Sequence, residues 1–390
     1  MNRDERLVII GGGPAGLSTA RAYRQTGGKG RVEILAAENL APYRRPPLTK
    51  EYLRGEIPRE DLAMESSDWF KQNNIDLHLA TTADAIDLER WVVQTADGDF
   101  PYEACVLATG SEPIRLPIPG GDDPEIMVMR TIENSTRLQQ QVKPGGRAAI
   151  IGSGFIGCEA AASLSMLGAE VMLISMEDLP QEQRLGADAG KRIHSWLEGY
   201  GVELYLGASA EGIERDGNGF VVGIEGDEVR SDTVLFGTGV KPRTGLAETA
   251  GLEMAGRGVI CDSSMRTSAP GIFAVGDIAY TYNDAAGRHL RVEHWGEALN
   301  HGRVAGTVIA GGEATWDMAP GFWSTIGDKT LKYAAWGDGW DEARFVDQGD
   351  GAFTVWYGTE GTCVGVLTHD FDEDYENGRE LVETGAPLPG

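Results

Sequence analysis

Two short glycine-rich segments of this sequence have the spacing that lets a protein backbone bind the pyrophosphate of a nucleotide. Residues 11–16 read GGGPAG and residues 152–157 read GSGFIG, and both fit the pattern Gly-x-Gly-x-x-Gly. The first glycine makes a tight turn, the second lets phosphate reach the backbone, and the third lets a helix lie close to a strand. We expect contacts from Gly11, Gly13, Pro14, Ala15, Gly16, Gly152, Gly154, Phe155, Ile156 and Gly157. Two turns predict two dinucleotides, and a flavin with a nicotinamide is the natural pair because hydride passes between them.

An acidic residue near the end of the following strand would accept hydrogen bonds from the adenosine ribose. Glu38 lies 22 residues beyond Gly16, which is the expected place. In the second segment Ser175 stands at that point, and Glu177 follows two residues later. An acid at this position favours NADH, whereas a nearby arginine favours NADPH. No arginine follows that strand before Arg184, so the sequence favours NADH.

These side chains need strands and helices to position them. Residues 7–38 read as a strand, the glycine turn, a helix to about Gln25 and a second strand. Residues 148–175 repeat that order, with an alanine-rich helix to about Leu167. Uniformly apolar strands such as LVII and AAII are typical of parallel sheets that are covered on both faces. The sequence therefore predicts two βαβ units of the Rossmann type.

Three further strand-like runs end in small residues, where the backbone could pass close to a cofactor. They are residues 106–110 (VLATG), 234–239 (VLFGTG) and 271–277 (GIFAVGD). From them we expect cofactor contacts by Ala108, Thr109, Gly110, Gly239, Gly276 and Asp277. A carboxylate at a strand end accepts hydrogen bonds from sugar-like hydroxyls, and Asp277 could also cap a helix N-terminus.

Composition excludes several classes of function. The 390 residues hold 34 Lys and Arg against 60 Asp and Glu, a net charge of −26 that opposes nucleic-acid binding. No apolar run is long enough to span a membrane, and residues 1–6 lack a signal-peptide layout. The four widely spaced cysteines fit a reducing cytoplasm rather than a disulfide framework. The six histidines show no metal-ligand spacing, so no metal site is predicted.

Residues 42–50 (PYRRPPLTK) connect these observations to a known family. They resemble the Pro-Tyr-x-Arg-Pro-Pro-Leu-Ser-Lys block of FAD-dependent pyridine nucleotide reductases with the glutathione reductase fold. Residues 291–295 (RVEHW) and 320–324 (PGFWS) resemble two more blocks of one branch. That branch contains ferredoxin, rubredoxin and putidaredoxin reductases and apoptosis-inducing factor. The resemblance covers residues 7–330 and is looser beyond them, and it implies FAD and NAD(P)H as cofactors.

The resemblance also implies roles for matching residues. Arg45, Pro46 and Lys50 would lie along the flavin, and Asp277 would bind the ribityl chain. The expected cofactor site also includes Glu293, His294 and Trp295. The backbone N–H of Trp295, which should open a helix, would lie near the pyrimidine end of the flavin. Lys50, Glu159 and Trp323 are the expected catalytic residues, with Lys50 near flavin N5 and Glu159 on the nicotinamide side. Lys50 could pair with Glu159, while Trp323 has core packing as its alternative.

The chain departs from the family pattern at Gly321 and in its strong acidity, and a missing cysteine separates it from the disulfide reductases of the same fold. Residues 42–55 contain no cysteine, which argues against the thiol relay of the disulfide reductases. Gly321 stands where this branch has a second tryptophan before Phe-Trp.

A basic group of Arg44, Arg45, Lys50, Arg54 and Arg59 is the candidate docking surface for an acidic acceptor protein. The alternative is that these basic residues support the flavin and otherwise carry ordinary surface charge.

The prediction is an α/β protein with two Rossmann-type dinucleotide-binding domains and a small α+β C-terminal domain. Residues 1–113 and 245–315 should form the FAD-binding domain, 114–244 the NAD(P)-binding domain, and 316–390 the C-terminal domain. Hydride would pass from nicotinamide C4 to flavin N5, and single electrons would pass on to a ferredoxin- or rubredoxin-type protein.

Two alternatives stay open at this point. One is an NAD(P)H oxidase or quinone-type reductase with a small-molecule acceptor. The other is an NADH-sensing flavoprotein similar to apoptosis-inducing factor. In each case we expect a cytoplasmic monomer or homodimer that binds neither membrane nor nucleic acid.

Overall fold

The computed structural model describes residues 6–389. The first five residues, where the FAD-binding domain is predicted to begin and where the lack of a signal peptide was inferred, and Gly390 lie outside the described residues. The helices are α1 (Pro14–Gln25), α2 (Ser67–Gln72), α3 (Ile132–Gln141), α4 (Phe155–Met166), α5 (Glu182–Gly199), α6 (Gly245–Thr249), α7 (Trp295–Ile309) and α8 (Asp372–Thr384). Short 3₁₀ helices span Pro46–Thr49, Arg59–Leu62 and Gly276–Ile278.

The strands of the first half are β1 (Arg6–Ile10), β2 (Arg31–Leu35), β3 (Ile75–His78), β4 (Ala83–Asp87), β5 (Val92–Thr95), β6 (Gly98–Pro101), β7 (Ala104–Leu107), β8 (Ser111–Pro113), β9 (Met127–Val128), β10 (Arg147–Ile151), β11 (Glu170–Ile174), β12 (Glu203–Tyr205), β13 (Ala210–Asp216) and β14 (Gly219–Ile224). Those of the second half are β15 (Asp227–Ser231), β16 (Thr233–Phe236), β17 (Val240–Pro242), β18 (Met254–Ala255), β19 (Gly258–Cys261), β20 (Ile272–Ala274), β21 (Ala279–Asn283), β22 (Arg288–Leu290), β23 (Gly321–Ile326), β24 (Lys329–Ala335), β25 (Glu342–Gly349), β26 (Ala352–Thr359) and β27 (Thr362–His369).

The first glycine turn follows the carboxyl end of β1, the central strand of a parallel five-stranded sheet of order β20-β7-β1-β2-β3, and joins it to α1. β1 pairs with β2 from Arg6 opposite Arg31 to Ile10 opposite Leu35. On this sheet α1 packs closely against α7, since a Cβ on Gly302 would lie only 2.3 Å from the Ala15 carbonyl oxygen. This close approach brings the N-terminus of α7 next to the first glycine turn.

The second glycine turn has the same setting in a second parallel sheet, of order β12-β11-β10-β16-β9. β10 pairs with β11 from Arg147 opposite Glu170 to Ile151 opposite Ile174. Helix α1 ends at Gln25, as the sequence predicts, and α4 ends one residue before the predicted Leu167. Both predicted βαβ units are therefore present.

The chain crosses between the two parallel sheets twice, and the two crossings lie side by side. β8 pairs with β17 in an antiparallel ribbon from Ser111 opposite Pro242 to Pro113 opposite Val240. The predicted domain limits at 113/114 and 244/245 fall at or just beyond this ribbon, and as domain limits they stay a prediction. Two antiparallel three-stranded sheets, β4-β5-β6 and β13-β14-β15, and a mixed sheet of order β18-β19-β21-β22 complete this part.

The C-terminal region is a five-stranded sheet of order β23-β24-β27-β26-β25 in which every pairing is antiparallel. This sheet and the helix that follows it agree with the α+β class predicted for residues 316–390. Helix α8 packs on this sheet, and its first turn holds three acidic residues that suit the positive end of a helix. The fold is therefore α/β with two Rossmann-type units and an α+β C-terminal region. Within residues 6–389 no helix is long and apolar enough to cross a membrane.

Candidate active site

The first glycine turn has the shape that a pyrophosphate needs. A Cβ on Gly11 would lie 2.1 Å from the Ala108 carbonyl oxygen, and one on Gly16 would lie 2.2 Å from that of Gly11. Gly13 has no described atom within 4 Å of its Cβ position, so this side of the turn is open. Gly13 also precedes α1 without any side-chain cap, and Pro14 begins the helix. The first N–H groups of α1 are therefore available to a ligand.

The second glycine turn repeats this arrangement. A Cβ on Gly152 would lie 2.5 Å from the Gly237 carbonyl oxygen, and one on Gly157 would lie 2.0 Å from that of Gly152. Gly154 precedes α4 without a side-chain cap, and Phe155 begins the helix. Packing thus requires the outer two glycines in both turns, while the middle glycine leaves the helix N-terminus accessible.

Glu38 is held by two side chains of the Pro-Tyr-x-Arg block. Its Oε2 accepts a hydrogen bond from the Tyr43 hydroxyl and its Oε1 accepts one from Arg45 Nη2, both at 2.6 Å. Burial raises the pKa of Glu38, but Arg45 and the Tyr43 hydrogen bond outweigh it and bring the pKa below its ordinary value. The guanidinium of Arg45 also donates to the Arg130 carbonyl. This clamp fixes an ionised carboxylate three residues beyond β2.

Asp277 is buried beside the two helices that meet at the first turn. Its Oδ2 accepts hydrogen bonds from Ser111 Oγ at 2.6 Å and from Arg130 Nη2 at 3.0 Å. Its Oδ1 accepts none from the described residues, so it remains available to a ligand. Asp277 lies inside a 3₁₀ helix whose cap is Val275, so the helix-capping alternative is wrong. Gly276 donates its N–H to His301 Nδ1 at 3.3 Å.

Ala108, Thr109 and Gly110 follow β7 and reach the same region. Ala108 is buried beneath Gly11, while the Thr109 hydroxyl donates to the Arg243 carbonyl. Gly110 has φ +66° and lies against the Arg130 guanidinium. Gly239, in contrast, lies at the β16–β17 connection with no described atom within 4 Å of its Cβ position.

Helix α7 begins at Trp295, as expected, with His294 before it and no side-chain cap. Burial lowers the pKa of His294 to about 3, so its ring is neutral near pH 7. The ring stacks on Phe322 of β23 with centroids 4.2 Å apart. Burial also raises the pKa of Glu293, whose carboxylate accepts a hydrogen bond from Arg291. The helix end therefore carries its own positive dipole beside a neutral histidine.

Lys50 and Glu159 form a buried ion pair where three parts of the fold meet. Lys50 Nζ lies 2.8 Å from Glu159 Oε2, and the Thr49 hydroxyl donates to the same oxygen. The other oxygen, Oε1, accepts hydrogen bonds from the Ser324 hydroxyl at 2.7 Å and the Thr325 N–H at 3.3 Å. The pair thus links the Pro-Pro-Leu-Thr-Lys segment, α4 and the C-terminal strand β23. The expected pairing is present, and Lys50 is not an exposed lysine.

Aromatic rings bring the second glycine turn close to α7. Phe155 packs edge-on against Phe322 with centroids 4.8 Å apart, and Phe322 stacks on His294. Trp323 projects from the opposite face of β23 and is 51% exposed, so its core-packing alternative is wrong. A Cβ on Gly321 would lie 2.8 Å from the Tyr375 hydroxyl, so α8 supplies an aromatic side chain at the position of the missing tryptophan.

Beyond the end of β11, Glu177 faces the second glycine turn. Its Oε2 accepts hydrogen bonds from Ser153 Oγ at 3.1 Å and from the Gln181 N–H at 3.2 Å. Ser153 also bonds to Ser175 at 2.7 Å, so the serine at the strand end and the later acid share one network. Ile156 and Met176 expose 40% and 78% of their surface beside this network.

Known proteins match this chain in sequence and in structure. The model of the pyridine nucleotide-disulphide oxidoreductases matches residues 5–302. This chain belongs to that family. It is 32% identical over 387 residues to the ferredoxin–NAD(+) reductase component of the anthranilate 1,2-dioxygenase system of Burkholderia cepacia, covering 97% of this chain and 94% of the relative. It is 31% identical to the rubredoxin–NAD(+) reductase of Ectopseudomonas oleovorans, covering 84% and 85%. In the solved covalent putidaredoxin reductase–putidaredoxin complex, the matching chain has a TM-score of 0.93 and 28% identity, with 99% and 94% covered.

Membership of this pyridine nucleotide-disulphide oxidoreductase family makes FAD and NAD(P)H the cofactors. The two open glycine turns fit them, as does the unused Oδ1 of Asp277. Residues 42–55 contain no cysteine for the disulphide chemistry in the family name, and Cys105, Cys158, Cys261 and Cys363 are free thiols buried elsewhere in the chain. Burial raises the pKa of Cys158 far above its ordinary value, which keeps it a thiol. Among residues 6–389, no group of three or more His, Cys, Asp or Glu side chains is arranged to hold a metal ion.

The prediction of a basic docking surface is wrong, because four of its five members form ion pairs with different acidic residues and do not share one free surface. Lys50 is buried on Glu159, Arg45 is held by Glu38, and Arg54 binds Glu56. Arg44 and Arg59 are exposed, and Arg59 faces Glu133. The group supports the site and adds ordinary surface charge.

Sequence reasoning missed four residues of the site. Thr49 and Ser324 were quoted within family blocks without a role of their own, and Arg130 had no signal at all. Gln181, whose side chain lies against Gly154 of the second turn, was missed as well.

Proposed function

We propose that this protein is an FAD-dependent NADH oxidoreductase that delivers electrons one at a time to a ferredoxin- or rubredoxin-type protein. The observation that carries the proposal is the buried Lys50–Glu159 pair, placed where the second glycine turn, the N-terminus of α7 and strand β23 come together. Bound FAD supplies a group that accepts a pair of electrons as hydride and can release them singly.

The residues of the first site would hold FAD by its two ends. The turn at Gly11–Gly16 and the ionised Glu38 would bind the ADP half, and Asp277 would bind the ribityl hydroxyls through its unused Oδ1. The uncapped start of α7 at Trp295 would favour negative charge on the reduced ring. The neutral ring of His294 leaves the helix dipole as the local source of positive charge at that end.

The residues of the second site would bind NADH. The turn at Gly152–Gly157 would receive the pyrophosphate, and Glu177 would accept hydrogen bonds from the adenosine ribose. A carboxylate fixed beside the glycine loop repels a 2′-phosphate, which supports NADH over NADPH. Phe155 and the Lys50–Glu159 pair would bound the nicotinamide end, where water must be excluded and the two rings held close together.

Several observations support an external electron-acceptor protein. Relatives whose names specify ferredoxin or rubredoxin acceptors match this chain over most of its length, and the longest of these matches include the C-terminal sheet that places Ser324 on Glu159. The absence of a reactive thiol beside residues 42–55 supports an external acceptor. Exposed Trp323 on β23 would lie at the exit for electrons. Cytoplasmic location and a monomeric or dimeric state stay predictions.

An anaerobic titration with NADH tests the first half of this proposal. Fast bleaching of the visible flavin band at near-stoichiometric NADH is expected, with slower bleaching by NADPH. A flavin band that stays oxidised with both would contradict it. Single-turnover mixing of the reduced protein with a [2Fe–2S] ferredoxin, a rubredoxin, a quinone or oxygen then tests the acceptor, and electron transfer to the iron proteins must be the fastest.

One specific observation favours a small-molecule acceptor as the second candidate. The net charge of −26 opposes the approach of an acidic ferredoxin at long range. Fast turnover with oxygen or a quinone and none with either iron protein would select this candidate. Slow flavin reduction together with NADH-dependent dimerisation would instead select a sensing flavoprotein.

A further inference from the structure

Gln181 lies between β11 and α5 in a backbone conformation that glutamine seldom adopts. Its φ and ψ are 63° and 16°, in the left-handed region. Such strain persists only where the surroundings hold it, and it concentrates at binding sites. Here the Gln181 N–H donates to Glu177 Oε2 at 3.2 Å, and its carbonyl accepts from the Leu185 N–H at 2.8 Å. Hydrogen bonds therefore fix the backbone on both sides of Gln181.

The side chain that this backbone positions is buried and unpartnered. Gln181 is 5% exposed, yet its Nε2 has no hydrogen-bond partner among the described residues. A buried amide without a partner has lost its hydrogen bonds to water and made none within the protein, so such groups are rare in folded proteins. This nitrogen lies 4.0 Å from the Cβ position of Gly154. It therefore points at the middle glycine of the second turn.

The middle glycine is where a pyrophosphate meets the backbone of such a turn. We propose that the Gln181 carboxamide donates a hydrogen bond to the pyrophosphate of the nicotinamide dinucleotide at this turn. The first turn has no counterpart, since nothing described lies within 4 Å of the Cβ position of Gly13. The inference rests on the proposed function, because it assigns a binding residue within the same NADH site.

A nearby cation supports an anionic ligand at this place. Arg184 lies three residues beyond Gln181, and its guanidinium lies over the Phe155 ring at 5.8 Å from the centroid. Arg184 is exposed and makes no ion pair within the described part of the chain. Its backbone carbonyl is held by Trp340 Nε1 at 3.2 Å, and the Leu185 carbonyl is held by the Tyr357 hydroxyl at 2.8 Å. The β24–β25 loop and strand β26 of the C-terminal region thus fix the segment that carries both side chains.

Binding of ADP-ribose and NAD⁺ to the FAD-loaded protein, measured by isothermal titration calorimetry, tests the proposal without turnover. Gln181→Gly removes the amide while glycine accepts the positive φ without strain. We expect it to weaken ADP-ribose binding about tenfold or more, since hydrogen bonds to charged groups are among the stronger ones. The melting temperature should stay the same or rise. Gln181→Glu should weaken binding further, because its carboxylate would repel phosphate.

Gln183→Glu is the matched control. Gln183 is exposed two residues away and contributes only its backbone N–H to Glu177, so this variant should keep its affinity within about twofold. Both Gln181 variants should weaken NADH and NADPH by the same factor, because both dinucleotides share the pyrophosphate. A loss confined to NADPH would overturn the assignment in favour of a 2′-phosphate contact.

Two outcomes separate this inference from the proposed function. If the wild-type protein binds ADP-ribose and Gln181→Gly binds it equally well, the inference fails and the proposed function stands. If the wild-type protein binds neither ADP-ribose nor NADH, the proposed function fails first and takes the inference with it.

Discussion

The ammonium of Lys50 lies 2.8 Å from the carboxylate of Glu159, although 109 residues separate them in the chain. Both side chains are buried, and the carboxylate has a donor on each oxygen from elsewhere in the fold. A buried pair of this kind is costly to break, because the remaining charge is left without solvent or partner. The arrangement therefore ties the geometry of the site to the docking of the C-terminal sheet.

Removing one partner should destabilise the protein strongly. We expect Glu159→Ala to lower the free energy of unfolding by about 3–5 kcal/mol, measured by urea denaturation of the FAD-loaded protein. Ser324→Ala, which removes one hydrogen bond to the same carboxylate, should cost about 1 kcal/mol. Glu170→Ala is the control, since Glu170 pairs with Arg147 on the surface and should matter by at most about 1 kcal/mol. A Glu159→Ala loss no larger than this control would contradict a buried, mutually dependent pair.

The clamp on Glu38 should control the affinity for FAD. Arg45→Ala leaves the carboxylate without its ion pair, so we expect the dissociation constant of FAD to rise about tenfold. Tyr43→Phe should weaken binding less, because a single neutral donor is lost. Reconstitution of the apoprotein, followed by quenching of flavin fluorescence, measures both effects. Arg44→Ala, at the exposed neighbouring position, should leave FAD binding unchanged, and an equal loss there would argue against the clamp.

Two buried histidines should make stability depend on pH. Burial lowers the pKa of His294 to about 3 and that of His301 to about 4, from an ordinary 6.5. The unfolded chain therefore binds protons between pH 6.5 and about 4 that the folded chain does not. Each histidine should lower the free energy of unfolding by about 1.4 kcal/mol per pH unit across that window as the pH falls.

His301→Gln isolates one of these contributions. A glutamine can still accept the Gly276 N–H but does not titrate, so the slope of stability against pH between pH 6.5 and 4 should become shallower. Denaturation midpoints at several pH values measure that slope. An imidazole NMR signal of His301 that titrates near pH 6.5 in the folded protein would be inconsistent with its burial as a neutral ring.

Local features of this fold could be predicted from the sequence because local rules determine them. The glycine spacing at residues 11–16 and 152–157 predicted both βαβ units, and α1 ends at the predicted Gln25. The pairing of Lys50 with Glu159 needed the family resemblance as well, because an isolated lysine suggests only an exposed side chain. Trp295 was likewise predicted as the start of a helix and does begin α7.

Contacts across the chain could not be predicted in this way. Arg130 reaches Asp277 across 147 residues and Ser324 reaches Glu159 across 165, and no spacing rule connects either pair. The basic docking surface failed for the same reason. Glu38 and Glu159, which neutralise Arg45 and Lys50, come from other segments of the chain. Basic residues that are close in sequence therefore do not form a free basic surface. Gln181 left no sequence signal, since its positive φ and its unpartnered amide exist only in the folded chain.

The contact between Gly321 and Tyr375 predicts a specific double-mutant result. A Cβ at residue 321 would lie 2.8 Å from the Tyr375 hydroxyl, and Gly321 is fixed in β23, where it pairs with Ala334 of β24. Gly321→Ala should therefore lower the free energy of unfolding by about 1–3 kcal/mol through overpacking. In a Tyr375→Phe background the hydroxyl is absent, and the cost of Gly321→Ala should fall.

Thermal and urea denaturation of the four proteins in this cycle gives the coupling energy, which should be at least about 0.5 kcal/mol in the direction of relief. Phe322→Leu is a useful reference, because it alters the neighbouring residue on the other face of β23. Its cost should be the same in the wild-type and Tyr375→Phe backgrounds. If Gly321→Ala is equally costly in both backgrounds, Tyr375 does not fill the space of the missing side chain, and the glycine must be required by the strand alone.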